Sequence, residues 1–449
     1  MLDRSRKQAI VIGGGMAGLS AAAAFLNNDV DVLLLERDDD EPFGDVRRGV
    51  PQGRHPHLLL AGGLLALRHL FPEIDADLIA AGGLEYSASR DMQVEIPGVA
   101  TLPRVDLGMR SIAARRPVLE AVLAARLAEN PNFTRRSNTR AARVRTTAAG
   151  DAVTGVDYVD PEASAGFEPA DFVVDASGRG ALILACLHEI GRAAPREEVV
   201  KVDIGYTSVV ATIPIAHAPN FTCLALHSAK GSGRAGYMFR LSPDRWHIAL
   251  VGRGADQPPA TIDAFLAYTQ TLGTMTIAEA LSEATAFDDF ARFRFPANVF
   301  RHFGADGEVP NGLFPIGDSY CRFNPVVGQG MSVAAHEAVI LNDLLAQFRT
   351  GTFDRQRLTD RYIAACRPII RQAWSASALP DFAYPTTIGE PPADLDALLS
   401  RSMDQLQRAL HDRSALLDFL KARHLVNLLP ERIQASVPIL LPAGADGRG

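Results

Sequence analysis

Runs of apolar residues in this chain change period along its length. Ala9–Ile12 is short, apolar and rich in β-branched residues, which predicts a buried strand. Leu19–Leu26 is rich in Ala and Leu and predicts a helix. Val30–Leu35 predicts a second strand, ending at Glu36. Arg115-Arg116-Pro117 opens a predicted helix through Leu127, with Val118, Leu119, Val122 and Leu123 on its apolar face and Pro117 suited to its first turn. Residues 133–159 read as short strands turning near Gly150 and Gly155, and Phe172–Val174 as a further buried strand. Between 200 and 255 the runs Val200–Ala211, Phe221–Leu226, Gly236–Leu241 and Trp246–Val251 are separated by turn residues, which predicts a mostly antiparallel sheet. Helices are predicted near 261–272 and 277–285, then strands at Phe290–Phe295 and Leu313–Ile316, then a helix from Met331 to about Phe348. From about 376 the tail reads as helical. Leu395, Leu398, Leu399, Leu406 and Leu410 recur at helical spacing, and Leu416, Leu417, Leu420 and Leu428 follow. Such a stripe docks on the chain's own core or on another subunit.

Glycines punctuate this pattern at three places. Gly13, Gly15 and Gly18 follow the first strand with G-x-G-x-x-G spacing and open the first helix, and Glu36 stands 18 positions beyond Gly18. Gly13 permits the tight turn, Gly15 lets backbone approach a pyrophosphate, and Gly18 lets helix and strand pack closely. The helix N-terminus offers free N–H groups to phosphate. This fingerprint does not separate FAD from NAD, since both carry an ADP half. The second place is Asp175-Ala176-Ser177-Gly178-Arg179-Gly180; the third is Gly317-Asp318, followed by Asn324 to Met331 with Gly328 and Gly330 before a helix. Reduced flavin carries negative charge around N1 and the C2 carbonyl, which a glycine turn at a helix N-terminus suits. The three segments in this order point to FAD and to a redox enzyme.

Composition narrows the class. The 449 residues are 47% hydrophobic and 22% charged, enough for a large core and about three domain-sized units. The net charge of −7 argues against a nucleic-acid partner. No apolar stretch approaches the roughly 18 residues of a membrane span, and the N-terminus lacks a signal-peptide core, so a cytoplasmic protein is expected. Cys186, Cys223, Cys321 and Cys366 are isolated and read as buried free thiols rather than a metal site or a disulfide framework. Residues 38–63 form an unusual loop in which Arg47, Arg48, Arg54, His55 and His57 stand among Gly and Pro. It reads either as a solvated surface loop or as a loop lying against a flavin, with an arginine near its anionic parts. His55 or His57 could serve as a base or simply bond backbone.

At these residues the chain resembles the FAD-dependent monooxygenases with the para-hydroxybenzoate hydroxylase fold. It looks closest to the bacterial branch that includes polyether epoxidases and squalene-epoxidase-like enzymes. The resemblance covers about residues 8–375 and rests on the glycine segments, Arg48–His55, Arg116–Glu120 and Asp203–Ser208. It implies an α/β fold: a Rossmann-like FAD-binding domain of the glutathione reductase type (1–85, 110–185, 300–375), an inserted, mostly antiparallel substrate domain (86–109, 186–299), and a helical C-terminal segment (376–449). It implies that Glu36 holds the adenosine ribose, Arg116 the FAD chain and Asp318 the ribityl or pyrophosphate region, while Gly330 and Met331 cover the pyrimidine edge. Arg47 aligns with a family arginine that touches FAD, with Arg48 its rival. The expected cofactor set is thus Gly13, Gly15, Met16, Ala17, Gly18, Glu36, Arg37, Arg47, Arg48, Arg116, Asp175, Ala176, Ser177, Asp318, Gly328, Gly330 and Met331. No side chain stands out as obligatory for catalysis.

The expected activity is insertion of one oxygen atom from O2 into a hydrophobic small molecule, as epoxidation or hydroxylation, through a flavin C4a-hydroperoxide and in secondary metabolism. The chain departs from the family where Gly180 runs into the apolar Ala181–Cys186 instead of a serine and an arginine, and at Val327 and His336. Reducing equivalents are therefore expected from NAD(P)H docking briefly or from a partner flavin reductase. Competing readings are an alkene reductase of the geranylgeranyl reductase type, a flavin halogenase, and a flavin-binding sensor without turnover. The halogenase is disfavoured because Trp246 and Trp374 do not make that family's paired-tryptophan motif.

Overall fold

A five-stranded parallel sheet brings the three glycine segments to one edge. The computed structural model describes residues 6–160, 162, 164–304, 308–351 and 357–434. The sheet runs Leu313–Pro315, Phe172–Asp175, Gln8–Ile12, Asp31–Leu35, Phe133–Arg136, with every neighbouring pair parallel. Ile12 lies opposite both Leu35 and Asp175, and Asp175 opposite Pro315. The turns after these strands therefore leave the sheet side by side, where open α/β sheets bind ligands. The central strands are buried on both faces, which is why they read as unbroken apolar runs. Helix Met16–Leu26 packs against helix Gly330–Arg349. Its Ala21–Ala24 are fully buried, and their small side chains permit that approach.

The second layer is a nine-stranded sheet. Its order is Cys321–Arg322, Ala291–His302, Arg196–Thr212, Arg245–Arg253, Ala235–Arg240, Cys223–Leu226, Met92–Ile96, Ala100–Thr101, with Ala286–Phe287 also pairing to Arg196–Thr212. All its pairs are antiparallel except Cys223–Leu226 with Met92–Ile96. Alternation along each strand gives the sheet two faces. Val209, Ala211, Leu224, Met238, Trp246, Ile248 and Leu250 form one core with Phe265 and Ile277 of the helices Ile262–Thr269 and Thr276–Ser282. Tyr206, Ala225, Ala235, Tyr237, Phe239 and Val251 join the core shared with the parallel sheet. Strands Met92–Ile96 and Ala100–Thr101 and helices Ala61–Leu70 and Ile74–Ala80 lie in a stretch whose periodicity is too short to announce them.

A small antiparallel sheet (Arg140–Thr146, Val153–Val159, Ala165–Pro169) and the pair Leu84–Ser87 with Arg110–Ala113 complete the strands. The tail forms helices Leu395–His411 and Arg413–Arg423. The side chain of Asp412 caps the second by accepting from Ala415 N. After it, Leu425 in a left-handed conformation (φ 60°) turns the chain so that Gly62 N–H donates to His424 O at 2.9 Å. A Cβ at Gly62 would stand 2.4 Å from that oxygen, so only glycine lets the tail dock there. Residues 435–449, part of the expected helical tail, lie outside the described residues. The four cysteines are free and buried. No described helix is long and apolar enough to cross a membrane.

Candidate functional site

The first glycine turn is shaped partly by the protein and partly by something else. Gly13 has φ 103°, and a Cβ there would come 2.6 Å from Ala176 O. A Cβ on Gly18 would lie 1.9 Å from Gly13 O. Backbone forbids any side chain at either place. Gly15 is different: the nearest atoms to its Cβ would be Glu120 Oε1, Arg47 Nη2 and Arg116 Nη2, at 3.6, 3.7 and 3.8 Å. Nothing in the chain requires glycine there, and the bare backbone faces two guanidinium groups. Met16 N–H donates to Glu120 Oε1 at 3.1 Å. Ala17 lies against Gly317, where a Cβ would approach the Ala17 methyl to 2.9 Å.

Charges close over this turn. Arg47 bridges two buried carboxylates, with Nη1 2.7 Å from Glu36 Oε2 and Nη2 2.7 Å from Glu120 Oε2. Arg116 Nε donates to Glu120 Oε1 at 2.9 Å. Glu36 also accepts from Gly14 N at 2.7 Å and Asp38 N at 3.0 Å. Burial pushes the Glu120 carboxyl up, but attraction and hydrogen bonds from Arg116 and Arg47 outweigh it and hold the group below its ordinary value. Its stabilising contribution is thus present above the ordinary glutamate pKa and lost as pH falls through the depressed one. Glu120, absent from the sequence-based set, is the centre of this cluster. Arg48 and Arg37 do not enter it. The Arg48 side chain is exposed: it sits at the tip of a turn closed by Val50 N–H on Arg47 O at 3.1 Å, while Arg47 points inward. Arg37 is 63% exposed and approaches only Asp38, at 3.9 Å.

The second segment is a structural tie. Asp175 is fully buried; Oδ1 accepts from Ser177 N, Ser177 Oγ and Ser319 Oγ, and Oδ2 from Ile183 N. Its carboxylate is engaged within the chain and joins the second turn to the third. Ala176 N–H donates to Ile12 O at 3.0 Å, and its own carbonyl presses on Gly13. Ser177 remains exposed.

In the third segment Asp318 is crowded by protein but keeps an exposed edge. Burial pushes its carboxyl up against the pull of Arg116, Arg322 and Arg301. Gly317 N–H donates to Glu337 Oε2 at 2.7 Å. Burial raises the Glu337 carboxyl to about 8, so it is neutral near pH 7 and an amide can replace it. Glu337→Gln should therefore unfold within about 1 kcal/mol of the parent near neutrality. The raised value means folding takes up a proton between pH 4.5 and about 8, so the parent loses stability as pH rises through that window. Urea unfolding across it should show a flatter profile for the variant.

Gly328 (φ 69°) and Gly330 have no atom within 4 Å of a built Cβ, and Gly330 is exposed while Met331 is buried. Between them Gln329 is buried, and neither amide atom finds a partner among the described residues. Asn324 anchors this turn. It accepts from Val326 N at 3.1 Å and donates to Asp381 Oδ2 at 2.6 Å. Asp381 also takes Asn298 Nδ2 at 3.0 Å and Arg253 Nη2 at 2.7 Å. Sequence reading had no signal for Asp381, which stands 57 residues from Asn324.

Residues 6–377 match the model of the FAD binding domain family. The chain belongs to that family. It is 27% identical over 406 residues to Protein Rv3254 of Mycobacterium tuberculosis, covering 86% of this chain and 82% of that protein. Solved structures share the fold. The flavin-dependent brominase Bmp2 matches with a TM-score of 0.67 at 15% identity, over 93% of this chain and 94% of that one. p-Nitrophenol 4-monooxygenase PnpA from Pseudomonas putida DLL-E4 matches with a TM-score of 0.65 at 16% identity, over 93% and 98%. PqsL of Pseudomonas aeruginosa, a probable FAD-dependent monooxygenase, matches with a TM-score of 0.63 at 14% identity, over 88% and 100%. The protein is an FAD-dependent oxidoreductase of the para-hydroxybenzoate hydroxylase type of fold.

The flavoprotein's own residues fit FAD. Gly15 and Gly330 are bare where the chain itself would accept a side chain, each at a helix N-terminus. Gln329 keeps a buried amide without a partner beside the second of them. Over the groove stands the inner face of the large sheet, tied down by Tyr237 OH, which donates to Val326 O at 3.1 Å. His55 Nδ1 shares a 2.8 Å hydrogen bond with Ser208 Oγ on that face, and burial lowers its pKa to about 4. His57 Nδ1 bonds His55 O at 2.9 Å. Burial also lowers His57 and His336 to about 3, so all three imidazoles are neutral near pH 7. His55 Nε2 and His336 Nε2 are buried without partners among the described residues.

Proposed function

We propose that this flavoprotein inserts one oxygen atom from O2 into a hydrophobic small molecule, by epoxidation or hydroxylation, with electrons from NAD(P)H or a partner flavin reductase. Bound FAD would supply the redox chemistry and the reaction with O2. The Gly13–Gly18 turn and the N-terminus of helix Met16–Leu26 would hold the pyrophosphate, with Arg47 and Arg116 beside it. Glu36 would take the ribose and Asp318 the ribityl chain, and Gly328–Met331 the pyrimidine edge. Asp175, Ala176 and Ser177 would position these turns.

The observation that carries the reading is the inner face of the nine-stranded sheet. Ala225, Ala235, Tyr237, Phe239 and Val251, all buried, face the FAD domain, and Tyr237 is bonded to the Pro325–Val327 turn. Such a surface would seat an apolar molecule and exclude water next to the flavin. Oxygen transfer to an alkene requires no side-chain base, and His55 and His247 at this face are both uncharged near pH 7. The tryptophans do not contribute. Trp246 packs edge-on to Phe221 in the other core at 5.7 Å, and Trp374 donates to Glu198 at 3.0 Å.

The test supplies isotopically heavy O2, a reductant and a panel of alkenes and phenols, with mass spectrometry of the products. One heavy oxygen in the product is the expected result. Two added hydrogens would make it an alkene reductase, and halide incorporation a halogenase.

A further inference from the structure

A buried carboxylate just beyond the matched FAD binding domain holds the turn that precedes Gly328. Asp381 stands in the short helix Pro380–Ala383, after the last matched residue. Asp381, Asn298 and Asn324 are each 2% exposed or less. Asn324 N–H donates to Asn298 Oδ1 at 2.5 Å, Asn298 Nδ2 donates to Asp381 Oδ2 at 3.0 Å, and Asn324 Nδ2 donates to the same oxygen at 2.6 Å, which closes a ring. The ring reaches outward through two further atoms. Asn324 Oδ1 accepts from Val326 N at 3.1 Å, and Asp381 Oδ1 accepts from Arg253 Nη2 at 2.7 Å. The segment around Asp381 is also fastened to the large sheet. The Arg253 guanidinium lies over the Tyr384 ring, 3.9 Å from its centre. Thr387 Oγ1 donates to Asp381 O at 2.6 Å. Ile388 exchanges both backbone hydrogen bonds with Lys201 of strand Arg196–Thr212, at 2.8 and 3.0 Å.

Pro325 has no N–H, so Val326 supplies the first donor of the turn, and Asn324 takes it. Val326 O is taken by Tyr237. Val326 is therefore held at both its N–H and its C=O by side chains from elsewhere in the fold. Next in the chain come Gly328 and Gly330, whose built Cβ atoms meet nothing within 4 Å. Stability alone does not call for this arrangement. Burying a carboxylate, a guanidinium and two amides costs free energy that their mutual bonds only offset, and apolar packing would hold the corner as well. What a connected polar ring adds is a single geometry, since each bond fixes the direction of the next. We propose that Asp381 is a positioning residue for the flavin, setting through Asn324 how the Pro325–Gly330 backbone meets the cofactor's pyrimidine edge. The C-terminal segment thus completes the flavin site from outside the FAD binding domain, and Arg253 ties that setting to the end of strand Arg245–Arg253. The inference rests on the reading that puts the pyrimidine edge at Gly328–Met331. Asp381 acts only through Asn324 and is not a catalytic residue.

Asp381→Ala alone would strand the Arg253 charge, so the decisive protein is the paired variant Arg253→Met/Asp381→Ala, which removes both charges together. Asn324→Ala and the triple variant complete the set. Full-length apoproteins are titrated with FAD by fluorescence quenching, the bound flavin is read by visible circular dichroism, and urea unfolding of each apoprotein checks the fold. The paired variant should unfold cooperatively, bind FAD about tenfold more weakly than the parent, and show an altered isoalloxazine dichroism band, a signature that lost stability alone does not move. Asn324→Ala should do the same. The triple variant should stay within about threefold of Asn324→Ala, because both changes break one path. Asn298→Ala opens the ring without touching a charge, and should weaken FAD binding at least threefold even if the paired variant does not fold. Parental FAD affinity and dichroism in the paired variant or in Asn298→Ala, while Asn324→Ala alters both, would overturn the inference and leave the flavin's placement standing. So would two fully additive losses in the triple variant. Parental readouts in Asn324→Ala itself would mean that the turn does not meet the flavin, and the placement at Gly328–Met331 would fall together with the inference.

Discussion

Gly18→Ala is expected to cost about 3 kcal/mol and to yield protein that does not retain FAD, whereas Gly15→Ala should fold as well as the parent and still lose the cofactor. The difference follows from what a methyl group meets. At Gly18 it meets Gly13 O at 1.9 Å, a backbone atom with no rotamer to change, and the Val11 side chain at 3.2 Å. Either helix Met16–Leu26 lifts off the first strand or the turn opens, and its packing against helix Gly330–Arg349, where Ala21–Ala24 are fully buried, is disturbed. At Gly15 the nearest non-neighbouring atom among the described residues would be 3.6 Å from the methyl, and alanine suits the start of a helix no worse than glycine. The same reasoning applies to Gly330→Ala, which should if anything stabilise ligand-free protein by a few tenths of a kcal/mol. Circular-dichroism melts of apoprotein, set beside flavin absorbance after reconstitution, separate the classes. If Gly15→Ala and Gly330→Ala bind FAD normally, the two bare positions are not where the cofactor comes close.

Arg47→Met should cost about 3–5 kcal/mol, because it leaves Glu36 and Glu120 buried and facing the same turn with only Arg116 to answer them. Arg47→Lys should recover little, since an ammonium group cannot bridge two carboxylates with the planar fork that spans both at 2.7 Å. The pH dependence should change with it. In the parent, Glu120 stays ionised below its ordinary range and goes on supporting the fold there. In Arg47→Met the desolvated carboxyl regains a proton more easily, so the deficit should shrink as pH falls toward about 4. Arg48→Met, one position along, is the control and should stay within about 0.5 kcal/mol of the parent. Urea unfolding of the three variants against pH, with FAD content, measures all of this. Equal behaviour of Arg47→Met and Arg48→Met would remove the charge cluster from the account.

Much of the site was legible because it depends on local backbone. Positive φ at Gly13, Gly317 and Gly328 and the contact of Gly18 with its own turn are demands that a few consecutive residues impose. Asp175 was legible as part of a turn but not in its role: that it ties two turns together instead of facing the groove depends on Ser319, 144 residues away.

Alternation of apolar and polar residues, glycine spacing and the absence of long apolar runs are one-dimensional properties. They determined a parallel sheet with glycine turns at its edge, an inserted antiparallel sheet and a helical tail, and family membership bears the fold out. Which arginine turns inward at 47 and 48, which carboxylate anchors it, and which tail residues reach the turn were decided by tertiary structure alone. A side chain's direction depends on the path of the loop beneath it. A buried charge needs its partner in space, and here the partners stand 73 residues apart for Arg47 and Glu120 and 128 for Arg253 and Asp381.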